Sequence, residues 1–118
     1  MKNFRAIFTT VFFLSMTLGL TSCKKCKNED PSARIFNNGN IKASVQIQTS
    51  NGNTVNINNI QPGASSDYAS YAPGICKFTV SVGSTNVVET VEMFECFNYD
   101  ILIASDNDVT TVAYDLND

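Results

Sequence analysis

Residues 41–58 read Ile-Lys-Ala-Ser-Val-Gln-Ile-Gln-Thr-Ser-Asn-Gly-Asn-Thr-Val-Asn-Ile-Asn, and their alternation decides the fold class. Ile41, Ala43, Val45 and Ile47 point one way, and Lys42, Ser44, Gln46 and Gln48 the other. Such a period of two is that of a half-buried β-strand. Val55 and Ile57 repeat the pattern over Thr54 to Asn58. Asn51-Gly52 invites a two-residue turn, but that turn pairs Ile47 with Asn56 on one face. A three-residue loop, Ser50-Asn51-Gly52, instead pairs Ile47 with Val55 and Val45 with Ile57. It also puts Gly52 where a positive φ is needed. Because register must keep one face apolar, the three-residue loop is the expected one.

Further hairpins are expected downstream. Cys76, Phe78, Val80 and Val82 alternate before Gly83-Ser84-Thr85-Asn86, and Val87, Val91 and Met93 after it. Glu89 falls on the apolar side opposite Val80, a break that a bulge or an edge position would relieve. With Asp106-Asn107 as a loop, Ile103 faces Thr110, Ile101 faces Val112, Tyr99 faces Tyr114 and Phe97 faces Leu116. Arg34 to Asn37 and a short run near Asp67 to Ala72 bring the total to seven or eight strands. Short connections imply antiparallel pairing, and one apolar face per strand implies two packed sheets. The expected fold is all-β, a small immunoglobulin-like or transthyretin-like β-sandwich over 34–118, with a small closed barrel as the alternative.

Upstream, Lys2 and Arg5 precede an apolar run from Ala6 to Leu20, followed by Thr21-Ser22-Cys23. A basic start, a 15-residue apolar helix and small residues form a secretion signal. The run is short for a membrane span. Leu20-Thr21-Ser22-Cys23 resembles the lipobox of bacterial lipoproteins. The resemblance implies cleavage after Ser22, a diacylglyceryl thioether on Cys23, and often a further acyl chain on the new amine. Two or more chains give stable anchoring. Lys24, rather than Asp, after the Cys implies the outer membrane, with the periplasmic or surface side open. Residues 1–22 are then the cleaved signal, and 23–33 (Cys-Lys-Lys-Cys-Lys-Asn-Glu-Asp-Pro-Ser-Ala) a flexible tether.

Charge narrows the partners. The chain has 8 basic and 11 acidic residues. Without Lys2 and Arg5, six basic residues remain against eleven acidic, or −5. From Asn28 onward only Arg34, Lys42 and Lys77 are basic, giving −8. An acidic body excludes nucleic acid as a partner. Lys24, Lys25 and Lys27 beside the anchor either touch anionic headgroups or form a solvated spacer. The chain lacks His, the usual general base and commonest metal ligand. No enzyme activity, cofactor or metal is expected.

Of the four Cys, Cys23 goes to lipid. Cys26, Cys76 and Cys96 remain in an oxidising compartment. With Cys26 in the tether, Cys76 and Cys96 form the expected disulfide, enclosing 19 residues; two buried thiols are the alternative. Glu89, Glu92 and Glu95 could be read as a carboxylate pair but fall on alternating strand faces. Asp106-Asn107-Asp108 lacks the further ligands of a calcium loop and reads as a turn. Tyr68 and Tyr71, beside the Asn-rich strand 53–59, form a candidate sugar-binding rim, or rim packing over the sandwich end. The segment Gln61 to Tyr68, with Tyr71-Ala72-Pro73-Gly74, resembles small extracellular β-sandwich domains of uncharacterised function; that supports fold alone. The leading expectation is a membrane-anchored, non-enzymatic envelope module, binding or structural, whose partner is a protein or another envelope component. A carbohydrate-binding accessory module comes second and a hydrolase last.

Overall fold

The computed structural model describes residues 25–117. The chain forms eight strands: β1 (Ser32–Asn37), β2 (Ala43–Gln48), β3 (Thr54–Ile60), β4 (Ala69–Ser70), β5 (Gly74–Val82), β6 (Thr85–Met93), β7 (Phe97–Ile103) and β8 (Val109–Asp115). They make two four-stranded sheets, ordered β4-β1-β7-β8 and β3-β2-β5-β6. The expected all-β sandwich is observed. In the immunoglobulin constant order the first strand pairs with the second, whereas here β1 pairs with β4 and β7. That leaves the transthyretin-like form of the two.

The sheets close on a shared apolar core. Ile47, Cys76, Phe78 and Val80 from one sheet meet Ile35, Ile101 and Ile103 from the other, all almost wholly buried. Each comes from a period-two run, so burying one sheet face orders the whole strand. The barrel alternative fails, because β6 and β8 touch at the seam without forming a ladder. At that seam Thr111 Oγ1 donates to Glu89 Oε2 at 2.7 Å. Glu89 faces the inside of β6 but lies where the sheets part, so its carboxylate finds a hydroxyl.

Register is where sequence and structure part. The first hairpin is as expected: Ile47 pairs with Val55, Val45 with Ile57, and Gly52 has φ 89°. Ile41, expected to face inward, lies before β2 and is exposed. In the second hairpin Val82 pairs with Thr85 across Gly83-Ser84, so Glu89 faces Phe78 and Cys76 faces Val91. Positive φ at Gly83 alone makes this a II′ turn. The third hairpin differs by one residue. Ile103 pairs with Val109, Ile101 with Thr111 and Tyr99 with Ala113. Asn107 takes a left-handed φ of 68°, and Ala104 N donates to Asp108 O, so the loop is Ser105-Asp106-Asn107. A one-residue shift reverses the faces. Val112 and Tyr114 therefore point outward, and Val109 and Thr111 turn inward, buried and half-buried.

Pairing of β1 with β7 is parallel, Ser32 opposite Asn98 through Asn37 opposite Ile103. Every other pairing is antiparallel as expected, including β1 with β4 and β2 with β5, which are not consecutive in sequence.

Candidate functional site

Parallel register on the β4-β1-β7-β8 sheet places Arg34 directly opposite Asp100. Both lie on the outer face, since Ala33, Ile35, Tyr99 and Ile101 take the inner one. Arg34 Nε donates to Asp100 Oδ1 at 2.9 Å and Nη2 donates to Oδ2 at 3.2 Å, a two-pronged contact. Tyr68 Oη donates to Oδ1 at 2.6 Å. The Arg34 guanidinium carbon lies 4.7 Å from the Tyr68 ring centroid, within cation–π range. Val112 pairs with Asp100 from β8, and Tyr114 sits one pleat further on the same face.

The result is a covered carboxylate under an open surface. Asp100 is 5% exposed, while Tyr68 is 40% and Tyr114 48% exposed. Burial alone would push the Asp100 carboxyl up. Hydrogen bonds from Arg34 and Tyr68 and the guanidinium charge outweigh it and hold the carboxyl below its ordinary value. The Asp100 hydrogen bond raises the Arg34 pKa, and burial followed by the same carboxylate raises that of Tyr68. Asp100 is thus ionised and fully engaged. What faces outward is two phenol rings and the edge of a guanidinium, with Arg34 and Tyr68 held by the carboxylate beneath.

Of the expected rim, Tyr68 belongs to this face and Tyr71 does not. Tyr71 is 6% exposed, with its hydroxyl buried and without a hydrogen-bond partner among the described residues. Its N–H donates to Pro31 O, which turns the side chain inward. The two rings therefore form no common rim. Tyr71 instead lines, with Asp30, Thr49, Asn51, Asn53 and Ser70, an open groove of about 390 Å³ beside the Asn-rich strand. Arg34, Asp100 and Tyr114 were not singled out from sequence. Their signal was one base and one acid in otherwise neutral strand runs, and only the parallel pairing brings them together.

The disulfide joins Cys26 to Cys96, not Cys76 to Cys96. Cys76 lies on the inner face of β5, fully buried, and burial pushes its thiol up to about 11. Cys96 lies in the β6–β7 connection with φ 64°, where the chain passes between sheets. Cys26 reaches it because residues 26–31 are held against this end. Cys96 N donates to Glu29 O at 2.9 Å, and Cys26 N to Asn117 Oδ1 at 2.7 Å. The expected tether is correspondingly shorter: the chain is fixed from Cys26, and Pro31 and Ala33 are buried.

Glu92 and Glu95 are exposed and do not converge with Glu89. Among the described residues no group of three or more His, Cys, Asp or Glu is placed to hold a metal ion. Asp106-Asn107-Asp108 belongs to the β7–β8 turn, where Asp108 N donates to Asp106 Oδ1 at 3.1 Å. Leu20, Thr21, Ser22 and Cys23 lie outside the described residues.

Compared with known protein families, curated proteins and solved structures, the chain matches none.

Proposed function

We propose that the chain is the precursor of a cell-envelope lipoprotein, anchored by acyl chains on Cys23, whose sandwich is a non-enzymatic binding module. The anchor rests on the residues before and at Cys23: a basic start, a short apolar run and Leu20-Thr21-Ser22-Cys23. The binding role rests on one observation, the Tyr68–Arg34–Tyr114 surface held over buried Asp100. An ion pair sunk beneath exposed aromatics is a preorganised platform, with rings and a cationic edge presented at little further ordering cost. Its carboxylate is occupied by Arg34 and Tyr68, which favours recognition over acid–base chemistry. By the Lys24 rule the destination is the outer membrane.

Intact-mass analysis of the protein from its native membrane fraction, beside Cys23→Ala, tests the anchor. A species starting at Cys23 with acyl mass, absent in the variant, is expected. An unlipidated chain cut elsewhere would end this reading. A photo-crosslinker at Tyr114 in intact cells tests the face. A protein adduct abolished by Arg34→Ala is expected.

A second reading, glycan recognition, is favoured by the exposed rings of Tyr68 and Tyr114 beside a guanidinium. Calorimetric titration with envelope glycan fragments separates it. Binding lost in Tyr68→Ala supports the glycan, and no binding removes it.

A further inference from the structure

The Cys26–Cys96 bridge fixes how close the body stands to its anchor. Three residue steps separate Cys23 from Cys26, at most about 11 Å of extended chain. The Cα atoms of Cys26 and Cys96 are 5.7 Å apart. If Cys23 carries the lipid, as proposed above, no free tether lets the body drift away. One end of the sandwich must lie against the bilayer, and its surface can be read for that contact.

That end is made by the β2–β3 loop, the start of β5, the β6–β7 connection and the end of β8. Exposed apolar side chains gather there. Phe94, 54% exposed, lies two residues before Cys96, and Leu116, 44% exposed, donates its N–H to Cys96 O at 3.0 Å. Ile75, also exposed, sits near the start of β5, and Val55 stands just past the β2–β3 loop. At the opposite end Ile41 is the exposed large apolar side chain, and the β7–β8 turn presents Asp106 and Asp108. Charge does not favour the anchored end. Lys24, Lys25, Lys27 and Lys77 are outnumbered by Glu29, Asp30, Glu92, Glu95 and Asp115. The contact is therefore an apolar one, with aromatic and aliphatic side chains at the headgroup boundary.

We infer that the end of the sandwich carrying Cys26, Cys96, Phe94 and Leu116 docks on the bilayer that holds the Cys23 acyl chains. Phe94 and Leu116 enter the interfacial layer. The β1–β2, β5–β6 and β7–β8 loops point away from the membrane, and the Tyr68–Arg34–Tyr114 face runs up the side, open to a partner.

The chain has no Trp, so a single Trp reports one position. Lipidated mature protein bearing Phe94→Trp, Leu116→Trp or Val88→Trp is purified from membranes and reconstituted into phosphatidylcholine–phosphatidylglycerol vesicles with brominated acyl chains. All three positions are exposed, so the fold tolerates the change. Trp at 94 and 116 should emit further to the blue and be quenched several-fold more than Trp at 88, with little change on adding salt. Equal quenching at all three, with acyl mass present on Cys23, overturns the docking while leaving the anchor. Absence of acyl mass overturns the anchor, and the docking with it.

Discussion

One end of the sandwich is closed by a covalent bond, the other by a single buried amide. At the disulfide end Cys26–Cys96 spans 70 residues and pins the first described residues beside the last strand. At the loop end Asn37, wholly buried, does comparable work with hydrogen bonds alone. Its Nδ2 donates to Ile41 O and Ile60 O, both at 2.9 Å, and Oδ1 accepts from Gly39 N at 2.9 Å. Its backbone joins in, accepting from Gly63 N and donating to Ala64 O. A disulfide acts mainly on the unfolded chain, whereas the Asn37 network acts on the native state by satisfying buried carbonyls. The two ends should therefore fail differently.

Loss of the disulfide is the larger effect. Closing a 70-residue loop is worth about 4 kcal/mol by loop entropy. Cys26→Ser with Cys96→Ser, in a Cys23→Ala background, should lower Tm by roughly 20 °C. Hydrogen exchange should speed up first at position 96 and at Leu116. Cys76→Ala, which leaves the bridge intact, should not open this end. A thermal shift in Cys76→Ala matched by its own exchange pattern at Cys96 would mean that the pairing is otherwise.

Asn37→Ala comes next. It strands the Ile41 and Ile60 carbonyls, at a cost of about 2 kcal/mol. Faster exchange should now appear at Gly39, Gly63 and Ala64 and spare the disulfide end. Asn37→Asp keeps the Gly39 contact but loses both donors, so it should resemble the alanine variant. If it resembles wild type, the two donated bonds are not what holds this end.

The contrast also shows what was legible in the sequence. Strict alternation over Ala43 to Gln48 and again over Thr54 to Ile57, with Gly52 at the loop position demanding positive φ, gave the first hairpin its register. Elsewhere the apolar pattern was satisfied by more than one register. Val112, Tyr114 and Leu116 pair in phase with Ile101, Tyr99 and Phe97 as readily as their neighbours do. What selects the neighbours is Asn107 in a left-handed conformation, a choice Asn permits and does not announce. The Cys26–Cys96 bridge was hidden for a related reason. Lys24 to Ala33 has the composition of a linker, and only the bonds of Cys26, Glu29 and Pro31 to distant residues show that residues 26–31 are held. Arg34 with Asp100 needed a parallel pairing between strands 66 residues apart, which no local pattern encodes.

Between the two ends, the Arg34–Asp100–Tyr68 cluster gives the smallest effect and the control for the other two. Asp100 is held below its ordinary carboxyl value, chiefly by hydrogen bonds from Arg34 and Tyr68 that overcome its burial. A group depressed in the folded state binds fewer protons there than in the unfolded chain, so it adds stability above the unfolded pKa of about 3.9. That contribution should fall away as pH drops from near 4 through the depressed folded value. Stability measured by urea unfolding across this range should decline more steeply in wild type than in Asp100→Asn, which has no proton to gain. Tyr68→Phe removes one of the hydrogen bonds holding the carboxylate, so its acid-dependent loss should be intermediate. Because the cluster sits mid-sheet, neither substitution should open one end of the molecule before the other. If Asp100→Asn instead loosened Gly63 or Cys96 selectively, the outer face and that end would be one cooperative unit, and the division between the two ends would have to be redrawn.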